Sequence, residues 1–263
     1  MLATLLGLDH LVIAVRDLDA AAAEWRALGF TVSPRGLHSP HIGSANHTMM
    51  FGEDYLELLG VVAPQPHNEA LRAFLSAREG LERAAFTTTD AAAGVAALRA
   101  RGLAATGPVD FSRPVPLPDG GGAEARFTVF HFPREEAPAG LRVFACQHHT
   151  RDAVWVPTLQ SHPNGVTRIL SALVATEDPA GAAAHLARLI EGTARRDGAF
   201  HRVATGPGRA DIAFAPRAAI AALARCAEEA LPLEGGAGMV LPTRKPRPPA
   251  LASGTAIIFE EAA

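Results

Sequence analysis

"VRDLDAAAAEWRALGF", Val15 to Phe30, decides the fold. Asp17 can accept hydrogen bonds from the first free backbone N–H groups of a helix. The alanines, Trp25 and Leu28 give that helix one apolar face, and Gly29 ends it. An apolar strand precedes the stretch, and "FTVSPRG" follows it. Moving 73 positions along the chain reaches "TTDAAAGVAALRARGL", Thr88 to Leu103. There Asp90 replaces Asp17, Arg99 replaces Arg26 and Gly102 replaces Gly29. A third copy, "VATEDPAGAAAHLARLIEG", has Asp178 as its cap and Pro179 in the first helical position. Strand, capped helix and strand therefore recur as a unit.

Each helix is followed by more strand-like pieces. They read "HTMMFG" and "YLELLGV" in the first unit, and "GPVDF", "ARFTVFHF" and "LRVFACQH" in the second. The expected fold class is α+β, with repeated βαβββ modules over residues 5–62 and 80–150 forming one domain. Residues 165–263 form a second half. It holds a third module with strands "FHRVAT" and "ADIAFAP", then a degenerate fourth. The fourth comprises a helical "AAIAALARCAEEAL", a loop rich in Gly and Pro, and a last strand "GTAIIFEE". The stretch from His149 to Gly165 is the expected boundary.

Composition narrows the function classes. The chain has 263 residues, 48% of them hydrophobic and 19% charged, with a formal net charge of −3. That balance does not suit a nucleic-acid partner, and the one basic run, "RKPRP", sits among prolines as a solvated loop. Cys146 and Cys226 lack metal or redox spacing, which points to a reduced, cytoplasmic setting. No apolar segment is long enough to span a bilayer, and "MLATLLG" is too short and uncharged for a signal peptide.

Side chains alternate along a strand. If Leu11, Ile13 and Val15 lie under the helix, His10, Val12 and Ala14 face the other way. Leu56 and Leu58 similarly leave Tyr55, Glu57 and Leu59 on the far face, so His10 and Glu57 share one surface of the sheet. In the second unit, Phe144 and Cys146 read as the apolar pair under the helix. Val143, Ala145 and Gln147 then fall on the concave face, with His148 and His149 at its end. Histidine and carboxylate converging from different strands suit a divalent metal of the Zn, Ni, Mn or Fe(II) type. The plainer reading gives His10 and Glu57 structural roles, with Glu57 meeting an arginine such as Arg83. In the loop "HSPHIGSANHTMMFG", His47 and Asn46 are candidate substrate contacts, and His38 and His41 read as solvated loop residues. Tyr55 shares the face of Glu57 and is a candidate proton donor. His131, His185 and His201 read as ordinary strand or helix residues, and "SHPNG" at His162 as a turn.

"LDHLVIAVRDLDAAAAEWRALGF" followed by "YLELLG" resembles the vicinal oxygen chelate superfamily, and within it the bacterial glyoxalase-like proteins. The likeness is strongest over residues 7–150 and weaker over 165–220. It implies paired modules curled around a cavity, with a metal held by the first and fourth strands of both. The superfamily's first-strand His falls on His10 and its fourth-strand Glu on Glu57. In "FACQHHT", Gln147 is the positional match and His148 the better ligand. One departure stands out: Arg83 lies under His10, and arginine cannot ligate a metal. Two readings follow. Either His10, Glu57 and Gln147 or His148 hold a metal while Arg83 grips an anionic substrate, or Arg83 pairs with Glu57 in a metal-free binding cavity.

The resemblance implies a metal-dependent isomerase or lyase acting on a small oxygenated substrate, with Glu57 and Tyr55 catalytic. A non-catalytic drug-resistance-type binder and an extradiol ring-cleaving dioxygenase are the alternatives. The expected partners are a small molecule and a second copy of the chain in a homodimer, with neither nucleic acid nor membrane.

Overall fold

A computed structural model describes residues 1–117 and 119–262. The first module comprises β1 (Leu5–Ala14), α1 (Leu18–Ala27), β2 (Gly36–Leu37), β3 (Ser44–Met50) and β4 (Tyr55–Val61). A connecting helix, α2 (Glu69–Ala77), leads to the second: β5 (Gly80–Thr88), α3 (Ala91–Ala100), β6 (Thr106–Pro116), β7 (Gly122–His131) and β8 (Arg142–His148). After a single turn, α4 (Arg151–Val154), the third follows as β9 (Ser171–Ala175), α5 (Pro179–Ile190), β10 (Ala194–Asp197), β11 (Phe200–Ala204) and β12 (Asp211–Ala215). The chain ends with α6 (Arg217–Ala224), β13 (Gly235–Thr243), β14 (Ala250–Ala252) and β15 (Thr255–Glu261).

The aspartates expected as caps act as caps. Asp17 accepts from the N–H groups of Asp19 and Ala20, Asp90 from Ala93 and Asp178 from Gly181. Gly29 and Gly102 end α1 and α3 with positive φ, a conformation that glycine adopts without steric cost. The first two modules build one eight-stranded mixed sheet, ordered β2-β3-β4-β1-β5-β8-β7-β6. β1 pairs parallel to β4 and antiparallel to β5, and β5 pairs parallel to β8, so the two modules meet at β1 and β5 about a local two-fold. The sheet curls until its end strands, β2 and β6, lie against each other.

β9 to β15 form a seven-stranded sheet, ordered β10-β11-β12-β9-β13-β15-β14. Helices α1, α3 and α5 lie between the two sheets in one shared core, from Trp25 through Val95 and Leu186 to Met239. Within that core the Trp25 indole donates to Ser253 across 3.1 Å. The inner side of the second sheet is filled by α6, whose Ile220, Ala221 and Ala224 pack on Leu173, Ala175, Ala213 and Val240.

Two segments depart from the sequence expectation. "GGAGMVLPT", expected within a loop rich in Gly and Pro, is the fully buried strand β13. Glycine is required there because β13 passes tightly against its neighbours: a Cβ on Gly236 would collide with Leu81 of β5, and one on Gly238 would meet Ala256 of β15 at 2.6 Å. Helix α2 lies between the first two modules and had not been expected. Its Leu71 and Leu75 cover Val12, Ala14 and Leu59 at one end of the first sheet's inner face.

Asp54 ties the halves together by accepting the Ile169 N–H at 3.1 and 3.2 Å. Burial pushes its carboxyl up to about 7. The folded state therefore keeps a proton that the unfolded chain releases above 3.8. The stability tied to that proton is complete below pH 3.8 and is lost as pH rises through about 7. Asp54→Asn keeps the acceptor without the charge. We expect it to raise unfolding stability by about 1–3 kcal/mol at pH 8 and to change it little at pH 4, as read from urea melts at both pH values.

Candidate functional site

The inner face of the first sheet encloses a cavity of about 980 Å³. His10 and Val12 come from β1, Tyr55 and Glu57 from β4, Arg83 from β5, and Phe144 and Cys146 from β8. α2 contributes Ala70 and Leu71 at one end. The shared face for His10 and Glu57 that strand alternation predicts is present, with His10 Nε2 3.7 Å from Glu57 Oε2.

Alternation fails one residue earlier, and the failure builds the site. The β1–β5 register shifts between Leu8 and His10, leaving Asp9 as an extra residue in a β-bulge. A bulge re-aims side chains. Asp9, fully buried, turns beside His10 and accepts from its Nδ1 at 2.7 Å. It also takes the Thr87 hydroxyl at 2.8 Å and His148 Nε2 at 3.0 Å. Burial alone would raise the Asp9 carboxyl, but His148 and His10 outweigh it and hold the group far below the usual carboxylate range. With Nδ1 directed to Asp9, His10 presents Nε2 to the cavity. Glu57 is fixed by Asn46, whose Nδ2 donates to Oε1 at 2.6 Å. Tyr55 stacks on the His10 ring at a centroid distance of 4.3 Å. Burial, then Asp9 and Glu57, push its phenol well above its ordinary value, so it stays protonated.

The second module repeats the device with other residues. The register of β5 against β1 shifts again between Val12 and Ile13, and Glu82 is the bulged residue. Glu82 is buried and holds both Arg83 and Arg142, the latter at 2.7 Å. Burial would raise Glu82; the two guanidiniums hold it below its ordinary value. Asp9–His10 thus becomes Glu82–Arg83. Just as Tyr55 opposes His10 in β4, Arg142 opposes Arg83 in β8, which makes Phe144 the counterpart of Glu57.

Several expected site residues stand elsewhere. Gln147 lies on the helix side of β8, where Oε1 accepts from the Ala91 N–H at 3.0 Å and Nε2 donates to Thr89 O at 2.9 Å. It caps the start of α3 and does not face the cavity. The facing of β8 is inverted from the sequence expectation: Phe144 and Cys146 line the cavity, while Ala145 belongs to the helix-side core. His148 does turn inward but is engaged by Asp9 and packed against Phe127 and Trp155. His47 lies under the outer face, with Nδ1 on Ser33 O at 2.8 Å and Nε2 buried without a partner among the described residues. Arg83 meets Glu82 rather than Glu57.

A divalent ion is implied by the superfamily resemblance. His10 Nε2 and Glu57 Oε2 are two donors at a spacing a single ion can bridge. The symmetry-related positions hold Arg83 and Phe144, neither of which can ligate. Asp9, Cys146 and His148 also bring donor atoms within 4.8 Å of one another. There, however, Asp9 already accepts three hydrogen bonds, and burial keeps Cys146 a neutral thiol. The donor sets do not complete a three- or four-ligand centre, and no chemical step is derived through one.

Sequence reasoning passed over Asp9, Glu82, Arg113 and Arg142, and read His38 as a solvated loop residue and His131 as an ordinary strand residue. One signal was available: an acid precedes His10 and an acid precedes Arg83, 73 positions on. His38 and His131 both line the cavity. Burial lowers each to about 4, so both are neutral and the charge of the cavity comes from Arg83, Arg113, Arg134 and Arg142 against Glu57, Asp110 and Glu135.

A sequence model of a family described as a glyoxalase-like domain matches residues 8–190. No curated protein sequence matches the chain. A hypothetical protein from Staphylococcus aureus is similar in structure over 97% of this chain and 99% of that one, with a TM-score of 0.76 and 11% identity. The methylmalonyl-CoA epimerase of Streptomyces coelicolor is 23% identical, with 56% of this chain and 99% of that one covered and a TM-score of 0.43. The corresponding Mycobacterium tuberculosis enzyme is 18% identical over 59% of this chain and 96% of that one, with a TM-score of 0.44. At 11% identity the likeness to the Staphylococcus aureus protein speaks to fold alone. No helix among the described residues is long and apolar enough to cross a membrane.

Proposed function

The chain belongs to the glyoxalase-like domain family within the vicinal oxygen chelate superfamily, and from that premise we propose that it is an enzyme of the isomerase or lyase type. It moves a proton on a small oxygenated substrate, at a carbon next to a carbonyl. The observation that carries the proposal is the line Asp9–His10–Glu57, with contacts of 2.7 and 3.7 Å, ending at a cavity wall. Glu57 Oε2 takes the proton, and the electron pair left on carbon moves onto the carbonyl oxygen as an enolate. Tyr55, kept as a phenol, donates a hydrogen bond to that oxygen. His10 Nε2 receives the proton from Glu57 or returns it, and Asp9 stabilises the resulting imidazolium.

The test is solvent exchange. Small 2-oxo acids and their esters are incubated with the protein in heavy water, and deuterium at the adjacent carbon is followed by NMR. Wild-type protein is expected to exchange at least one of them, with or without a chelator. His10→Ala is expected to lower the rate by about 10²-fold or more. A rate abolished by chelator and restored by Zn, Ni, Mn or Fe(II) would instead establish a metal centre on His10 and Glu57.

A non-catalytic binding protein is the second reading. It is favoured by Phe144 standing where a ligand is expected and by the aromatic lining from Phe111 and Phe127. Tight binding without exchange for any panel member would establish it.

A further inference from the structure

Arg113, on β6, lines the cavity on the side away from Arg83 and is only 8% exposed. Its neighbours across the seam are Gly36 and Asn46, and a Cβ on Gly36 would sit 2.9 Å from its Nη1. Among the described residues its guanidinium makes no hydrogen bond and no ion pair. A guanidinium keeps its charge at physiological pH. The Arg113 nitrogens reach the cavity, so a cation that no protein group answers is presented to whatever anion enters there.

The other cationic point is Arg83 with Arg142. The two share a single carboxylate, Glu82, and each engages it through one nitrogen, leaving the other guanidinium nitrogens toward the cavity. Three buried or half-buried guanidiniums thus stand near Glu57 and Glu82. Glu57 is already held by Asn46 beside His10, and the remaining lining acids, Asp110 and Glu135, form no ion pair with these three arginines among the described residues. Around the barrel the order is Arg113, Asn46, Glu57, His10, Arg83, Arg142. The proton-transfer pair therefore lies between two separate cationic points.

We propose that the ligand of this cavity is a small organic dianion, one anionic group on Arg113 and the other between Arg83 and Arg142. Its middle carbons then lie over Glu57 and His10. The proposal rests on the cavity of the proton-transfer reading and gives it a substrate class. Arg83 stands where the superfamily pattern expects a further ligand, Arg142 stands opposite it in the position of Tyr55, and together they place positive charge beside the substrate without a metal. Each anionic group is a carboxylate or a phosphate; both offer the planar or tripodal oxygens that guanidinium forks bind.

Isothermal titration of the full chain tests it with the dicarboxylates from malonate to adipate, their monomethyl and dimethyl esters, 3-phosphonopropionate and inorganic phosphate. At least one diacid or the phosphonocarboxylate is expected to bind about tenfold or more tighter than its monoester. Arg113→Met is expected to reduce that ligand to the monoester's affinity, and Arg83→Gln to do the same from the other end. Tighter binding of the phosphonocarboxylate than of succinate assigns phosphate to one end; the reverse assigns two carboxylates. Because Arg113 has no partner in the fold, Arg113→Met is expected to melt no lower than wild type, which separates lost binding from lost folding. Esters binding as well as diacids, or diacid affinity unchanged in Arg113→Met, would overturn the proposal. The titrations are repeated in Glu57→Gln, where binding needs no proton transfer. 2-Oxo diacids that bind but do not exchange in heavy water would leave this inference standing and defeat the proton-transfer reading. Exchange of neutral esters alone would do the opposite.

Discussion

Glu57→Gln is expected to lower the rate of proton exchange by about 10²–10⁴-fold while ligand affinity changes far less. The amide keeps the shape of the side chain, and its oxygen can still accept the Asn46 Nδ2 hydrogen bond that now measures 2.6 Å. What disappears is a basic oxygen 3.7 Å from His10 Nε2. The fall should be in kcat, because an interaction made with the moving proton belongs to the transition state. A Glu57→Gln protein that exchanges at the wild-type rate would place the base elsewhere and remove Glu57 from the mechanism.

Asp9→Ala is expected to be the most destabilising single change at the site, by about 3–5 kcal/mol, because it leaves buried donors without the charge they pair with. Three donors converge on this carboxylate: His10 Nδ1, His148 Nε2 and the Thr87 hydroxyl. The pH dependence has a definite sign. The folded carboxyl is held far below its unfolded value of 3.8, so its contribution is complete above that value and falls away as pH drops below it. Urea melts of wild type should therefore weaken steeply below about pH 4, and Asp9→Ala should show a flatter acid limb. Equal acid limbs would mean that the Asp9 contacts contribute no net stability.

The repeat was legible because its signals are local: Asp17, Asp90 and Asp178 each cap the helix that follows, and period-two alternation placed His10 and Glu57 together. Alternation was misleading in two kinds of place. At Asp9 and Glu82 a bulge adds a residue, and the side chain after the bulge faces as the pattern says while the one within it does not. In β8 both faces are apolar. Phe144 and Cys146 form a cavity wall while Ala145 faces the helices and Val143 packs in the helix-side core and borders the cavity as well, so hydrophobicity carried no information about side. Gln147 was assigned to the cavity by that inverted facing, and its role as the cap of α3 depends on a contact across 56 residues. Arg113 was invisible for a further reason. It enters the site only when the sheet curls far enough to bring β6 beside β2, and no local pattern encodes closure. The Gly-rich β13 was hidden by its own composition, because close approach to β5 requires the residues that usually mark loops.

The filling of the second sheet by α6 has a mechanical consequence for the first. β13 packs on β5, so the wall carrying Arg83 is backed by the packed second sheet. The opposite side of the barrel is a seam, where β2 and β6 touch without pairing in the ladder. Gly36 and Arg113 stand at that split, so the cation that no protein group answers borders the one part of the described wall that no ladder hydrogen bond closes.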